Sequence, residues 1–111
     1  MGLFNWFRRP QPSVPRPLSP ERRREVTAWL RHPITAEAAL GKAAEFYRRL
    51  KSPDHGAVRA LQHWLENHMR PGDELWWYDT GGDSWANLCG EEGFALLRDG
   101  QVADVYLWAM N

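Results

Sequence analysis

The sequence predicts an α+β domain: three helices, then a small three-stranded antiparallel sheet ending in a β-hairpin, with the helices on one face of the sheet. Three observations carry this expectation. Apolar residues recur at helical spacing in three stretches before Pro71. After Asp73 the pattern changes to short runs rich in strand formers. Asp99-Gly100 then separates two such runs, the signature of a tight type I′ hairpin.

Each element has its own signals. Ser19-Pro20-Glu21 opens the first helix, with a capping hydroxyl, a proline in the first turn and an acid near the positive end of the dipole. Val26, Trp29 and Leu30 follow at helical spacing, and Pro33 ends the run. Thr35 caps the second helix, whose apolar stripe is Ala36, Ala39, Leu40, Ala43, Tyr47 and Leu50. Ser52-Pro53-Asp54 reads as the start of the third. Its inner stripe is Ala57, Leu61, Trp64, Leu65 and His68, and Pro71-Gly72-Asp73 stops it. Residues 74–79 form the first expected strand. Ser84 is expected to cap a short turn of helix carrying Trp85, Leu88 and a packed Cys89, closed by Gly90.

The hairpin turn sets an expected register. Arg98 faces Gln101, Leu97 faces Val102, Leu96 faces Ala103, Ala95 faces Asp104 and Phe94 faces Val105. One face then carries Phe94, Leu96, Ala103, Val105, Leu107 and Ala109, and belongs under the helices. The other carries Leu97, Val102, Asp104, Tyr106 and Trp108, joined by Trp76 and Tyr78 or by Leu75 and Trp77, depending on the register of the first strand. Three helices cover only one face well, so this second face is expected to be open.

At 111 residues there is room for one domain, expected over residues 18–111. Residues 1–17 read as an N-terminal arm and linker, since five prolines fall between positions 10 and 20. No apolar run approaches a transmembrane span. Cys89 is the lone cysteine, which excludes an internal disulfide and suggests a reducing, cytoplasmic setting. Arginine outnumbers lysine 12 to 2, a bias expected of a GC-rich bacterial or phage genome.

The zero formal net charge hides two opposed segments. Residues 1–70 hold thirteen bases and six acids, net +7. Residues 71–111 hold one base and eight acids, net −7, with four of the seven tryptophans. Indoles among carboxylates suggest a partner-binding surface, and the negative charge there makes nucleic acid an unfavourable ligand. The expected site is Trp76, Tyr78, Asp79, Asp83, Asp104, Tyr106 and Trp108, with Tyr106 and Trp108 as anchors. The function it implies is a small non-catalytic protein-binding module of inhibitor or immunity type, or one that pairs with itself, with no cofactor.

Two alternatives stand beside it. The carboxylates Asp79, Asp83, Glu91 and Glu92 are candidates for acid–base catalysis if two of them share a pocket and one titrates abnormally. The N-terminal arginines, with Leu3, Phe4, Trp6 and Phe7, would suit weak contact with a membrane surface or nucleic acid. Asp79-Thr80-Gly81 resembles the catalytic triplet of aspartic proteases, over three residues only. The family's second glycine-containing signature is missing, and helices precede the triplet here. His63 and His68 lie five apart, a poor spacing for a shared metal, and no metal is expected.

Overall fold

The computed structural model describes residues 18–110. The arm and linker therefore lie outside the described residues, as does Asn111. The order of elements is α1 (Pro20–Trp29), β1 (Leu30–Pro33), α2 (Ala36–Leu50), α3 (Ala57–His68), β2 (Glu74–Asp79), α4 (Gly82–Ala86), β3 (Glu91–Arg98) and β4 (Gln101–Met110). The fold is α+β, and the four strands form one antiparallel sheet in the order β1-β2-β3-β4.

The fourth strand, β1, is a correction. The first helix was expected to run to Pro33, but it stops at Trp29, and Leu30–Pro33 pairs with β2. Pro33 disfavours helical backbone at His32, and the β-prone stretch Glu74–Asp79 offers an edge to pair with. Capping elsewhere is mixed. Ser19 Oγ accepts from the Arg22 N–H at 3.0 Å and Thr35 Oγ1 from Ala38 N–H at 3.0 Å, as expected. Helix α3, however, starts at Ala57 and not near Ser52. Asp54 Oδ1 instead accepts from Gly56 N–H at 2.9 Å, and His55 and Gly56 both take left-handed backbone, so His55 precedes the helix. Ser84 lies inside α4 and does not cap it, while Leu88 and Cys89 are exposed beyond its end.

The hairpin turn is as expected: Asp99 and Gly100 have φ of 54° and 78°. The register holds at Arg98–Gln101 and Leu97–Val102, then slips. Leu96 pairs with Asp104, Ala95 with Val105 and Phe94 with Tyr106, leaving Ala103 as an unpaired bulge. A second bulge leaves Trp108 unpaired between Leu107 and Ala109. The first bulge sends the side chains from Asp104 to Trp108 to the face opposite the expected one, and the second returns Ala109 to its own.

Both faces are consequently covered. Helices α2 and α3 pack Ala39, Ala43, Tyr47, Leu61, Trp64 and Leu65 against Leu75, Phe94, Leu96, Tyr106, Trp108 and Ala109. Against the other face, α1 packs Val26 on Tyr78, Ala95, Leu97 and Val102, with Trp29, Trp76 and Val105 half-buried beside them. The expected open face does not exist in this form. Tyr106 and Trp108 cross to the main core and keep 8% and 7% of their surface, and the reverse face is roofed by α1.

Candidate binding site at the acidic end of the sheet

The side chains of β2 alternate: Leu75, Trp77 and Asp79 face α2 and α3, while Trp76 and Tyr78 face α1. Asp79 pairs with Glu92 across the β2–β3 ladder, and Trp77 with Phe94. Cross-strand partners share a face, so Trp77, Asp79 and Glu92 gather at one end of the sheet. Trp77 Nε1–H donates to Glu92 Oε2 at 2.8 Å. The Lys42 ammonium, from α2, sits 4.2 Å from the centre of the Trp77 ring, and the His32 ring, from β1, is 5.2 Å from it. Burial holds the Glu92 carboxyl above the usual carboxylate range. The Trp77 N–H and the Lys42 charge oppose this, and the Asp79 charge adds to it.

Asp79 organises the following loop. Its Oδ1 accepts from Gly81 N–H at 2.8 Å and from Trp85 Nε1–H at 2.9 Å, and its carbonyl accepts from Arg31 Nε–H at 3.0 Å. The Trp85 ring lies directly on Gly90, where a Cβ would fall 2.3 Å from it. Two half-buried indoles are thus each tied through N–H to a carboxylate, and the tied carboxylates belong to adjacent residues of the ladder.

Glu91 points the other way and is fully engaged. Arg22 donates to both its oxygens, with Nη1–Oε1 at 2.9 Å, and the Tyr78 hydroxyl donates to Oε2 at 2.6 Å. Arg22 lies 5.8 Å from the Trp29 ring, which stacks on Tyr78 at 6.2 Å. This cluster fastens α1 to the sheet. Burial is the main reason the Tyr78 hydroxyl titrates far above an ordinary tyrosine, with Glu91 reinforcing it.

Comparison with protein-family models, curated proteins and solved structures found no match for this chain. The site is therefore read from its geometry alone.

The residues expected from sequence are dispersed. Tyr78 is wholly buried beneath α1. Trp76 is half-buried on the same face, with its N–H on Glu74 Oε1 at 3.0 Å. Tyr106 packs 5.2 Å from Trp64, and burial pushes its hydroxyl up to about 12. Trp108 meets Tyr47 edge-on at 5.7 Å. Buried Tyr78, Tyr106 and Trp108 do not offer the exposed face expected of them, and Trp76 stands beside α1, apart from Tyr106 and Trp108. Asp104 is half-exposed and bonded to His68 Nδ1 at 2.7 Å and to Val105 N–H at 2.8 Å, so it ties β4 to α3. Asp83 is exposed on α4. Of the expected set, only Asp79 sits beside the Trp77–Glu92 pair.

Trp77 and Glu92 were legible as alternatives, through the undecided strand register and the acidic run. Lys42 and His32 carried no signal, because only the fold brings them to Trp77. Among the described residues no three of His, Cys, Asp or Glu gather as a metal site, and no helix is long and apolar enough to cross a membrane.

Proposed function

We propose that this protein is a small binding module that presents Trp77, Trp85, Asp79 and Glu92, flanked by Asp83, to a basic segment of a partner protein. One observation carries the reading: both half-buried indoles are fixed through N–H to carboxylates that pair across the ladder. Fixed aromatic faces lose little entropy on contact and commonly anchor interfaces. At this end of the sheet Asp79, Glu92 and exposed Asp83 would draw a cationic partner and repel nucleic acid, against the opposing charges of Arg31 and Lys42. An inhibitor or immunity-type role would take this form, in a reducing cytoplasm.

The test is titration with a hexalysine peptide, at low and at physiological salt, followed through the tryptophan indole N–H resonances. Saturable, salt-weakened binding at Trp77 is expected. It should be lost in Asp79→Asn/Glu92→Gln, which keeps the indole acceptors and removes both charges. Undiminished binding in that variant, or no binding by the natural chain, would overturn the reading.

A second reading has one observation in its favour. Asp79 and Glu92 are paired carboxylates, and Glu92 titrates above its usual range, the arrangement acid–base catalysis uses. Glu91, spent on Arg22 and Tyr78, and exposed Asp83 have no part in it.

A further inference from the structure

We propose that Trp77 and Glu92 form a seat for an alkylammonium group, that Lys42 of this chain fills that seat, and that a lysine of the basic partner displaces it. The inference rests on the binding reading above and names both its ligand chemistry and its regulation.

Lys42 lies on the exposed side of α2, where water is freely available to a four-carbon chain. Its ammonium nevertheless rests 4.2 Å from the Trp77 ring centre. An indole face attracts a cation through its quadrupole, and tryptophan does so best. The Trp77 ring is held in this orientation by its N–H on Glu92 and by its packing on the main core. The negative charge of Glu92 acts on the same ammonium, from a partly buried position where attraction is screened less than in water. Two elements, β2 and β3, thus converge on the positive charge that α2 supplies.

The seat suits lysine better than arginine. An ammonium is a compact point charge on a flexible stem, whereas a guanidinium seeks a planar, two-pronged acceptor. Glu92 already has one oxygen on the Trp77 N–H. Arg31 comes to the same end of the sheet and bonds the Asp79 carbonyl.

Because Lys42 is part of the chain, it competes with any incoming lysine at a fixed and high local concentration. Removing it should therefore tighten binding even though a contact is lost. Hexalysine titrations of the natural chain, Lys42→Gln and Lys51→Gln test this, read at the Trp77 indole N–H. Lys51 follows the far end of the same helix and controls for the loss of one positive charge. The expected result is roughly two- to fivefold tighter binding by Lys42→Gln, with Lys51→Gln close to the natural chain. Equal affinities for all three, or equal gains in both variants, would overturn the displacement while leaving the binding reading intact. No binding by any of them would overturn both.

Discussion

Leu96 pairs with Asp104 and its neighbour Leu97 with Val102, so Ala103 bulges from the hairpin without a partner on β3. That single residue decides which face of the sheet receives Tyr106. Just beyond the bulge, the Asp104 carboxylate accepts from the Val105 N–H at 2.8 Å.

Deleting Ala103 should leave the fold intact, because Val102 and Asp104 then alternate normally on the faces they already occupy. Deleting Val105 should abolish it, since Tyr106 and Trp108 would be driven to the face under α1. Near-ultraviolet circular dichroism and cooperative thermal melting would distinguish the two. A non-cooperative Ala103 deletion would contradict this account of the register.

Trp108→Ala should cost about 3–5 kcal/mol, as expected for removing a large aromatic ring from a packed core. The ring meets Phe46 and Tyr47 edge-on at 6.0 and 5.7 Å. Urea unfolding measures the loss. A change below about 1 kcal/mol would place the ring outside the core.

Gly93→Ala should be among the most damaging single changes. The added Cβ would lie 2.3 Å from the Tyr106 carbonyl oxygen and 2.8 Å from the Tyr78 ring. Neither neighbour can yield, since one is backbone of the paired strand and the other is fully buried. A loss of more than about 3 kcal/mol is expected, and equilibrium unfolding would register it.

Arg22→Ala should loosen α1 before the rest of the molecule. The helix buries only Val26 completely, so the ion pair to Glu91 carries much of its attachment. A cost of about 1–3 kcal/mol is expected for a charge-assisted bond whose carboxylate keeps only part of its shell. Hydrogen exchange should accelerate across residues 22–29 while β3 stays protected. Uniform acceleration across both would contradict it.

Glu92→Gln should change the dependence of stability on pH. The folded-state pKa of Glu92 is raised, chiefly by burial, so folding favours its protonated form. Its contribution is complete below the unfolded value of about 4.3 and is lost as pH rises through the higher folded value. Glutamine cannot ionise and escapes that loss. Relative to the natural chain, the variant should gain stability between pH 4 and pH 7, measured as the shift in denaturation midpoint. A gain in the opposite direction would mean that Lys42 outweighs burial.

Much of the fold is written in local signals that tertiary contacts do not override. Ser19 and Thr35 cap their helices, and Asp99-Gly100 turns the hairpin, because each acts through bonds or backbone angles within a few residues. The bulge at Ala103 has no such local mark: alanine neither demands nor forbids an unpaired position. What selects it is the distant core under α2 and α3, which takes Tyr106 and Trp108 and rejects the ungapped alternative. The strand at Leu30–Pro33 was hidden for a related reason, since its helical-looking spacing is overruled by pairing with Tyr78, Trp77 and Trp76. The site inherits both effects. The acidic, indole-rich character of residues 71–111 is visible in composition, whereas the choice of Trp77 over Trp108 depends on the register. Lys42 and His32 arrive through tertiary packing alone.

Helix α1 passes into β1 between Trp29 and Leu30 with no intervening loop. Roofing one side of the ribbon and bordering it are thus tasks of one uninterrupted stretch, which also carries the His32 imidazole to the Trp77 indole on the opposite side.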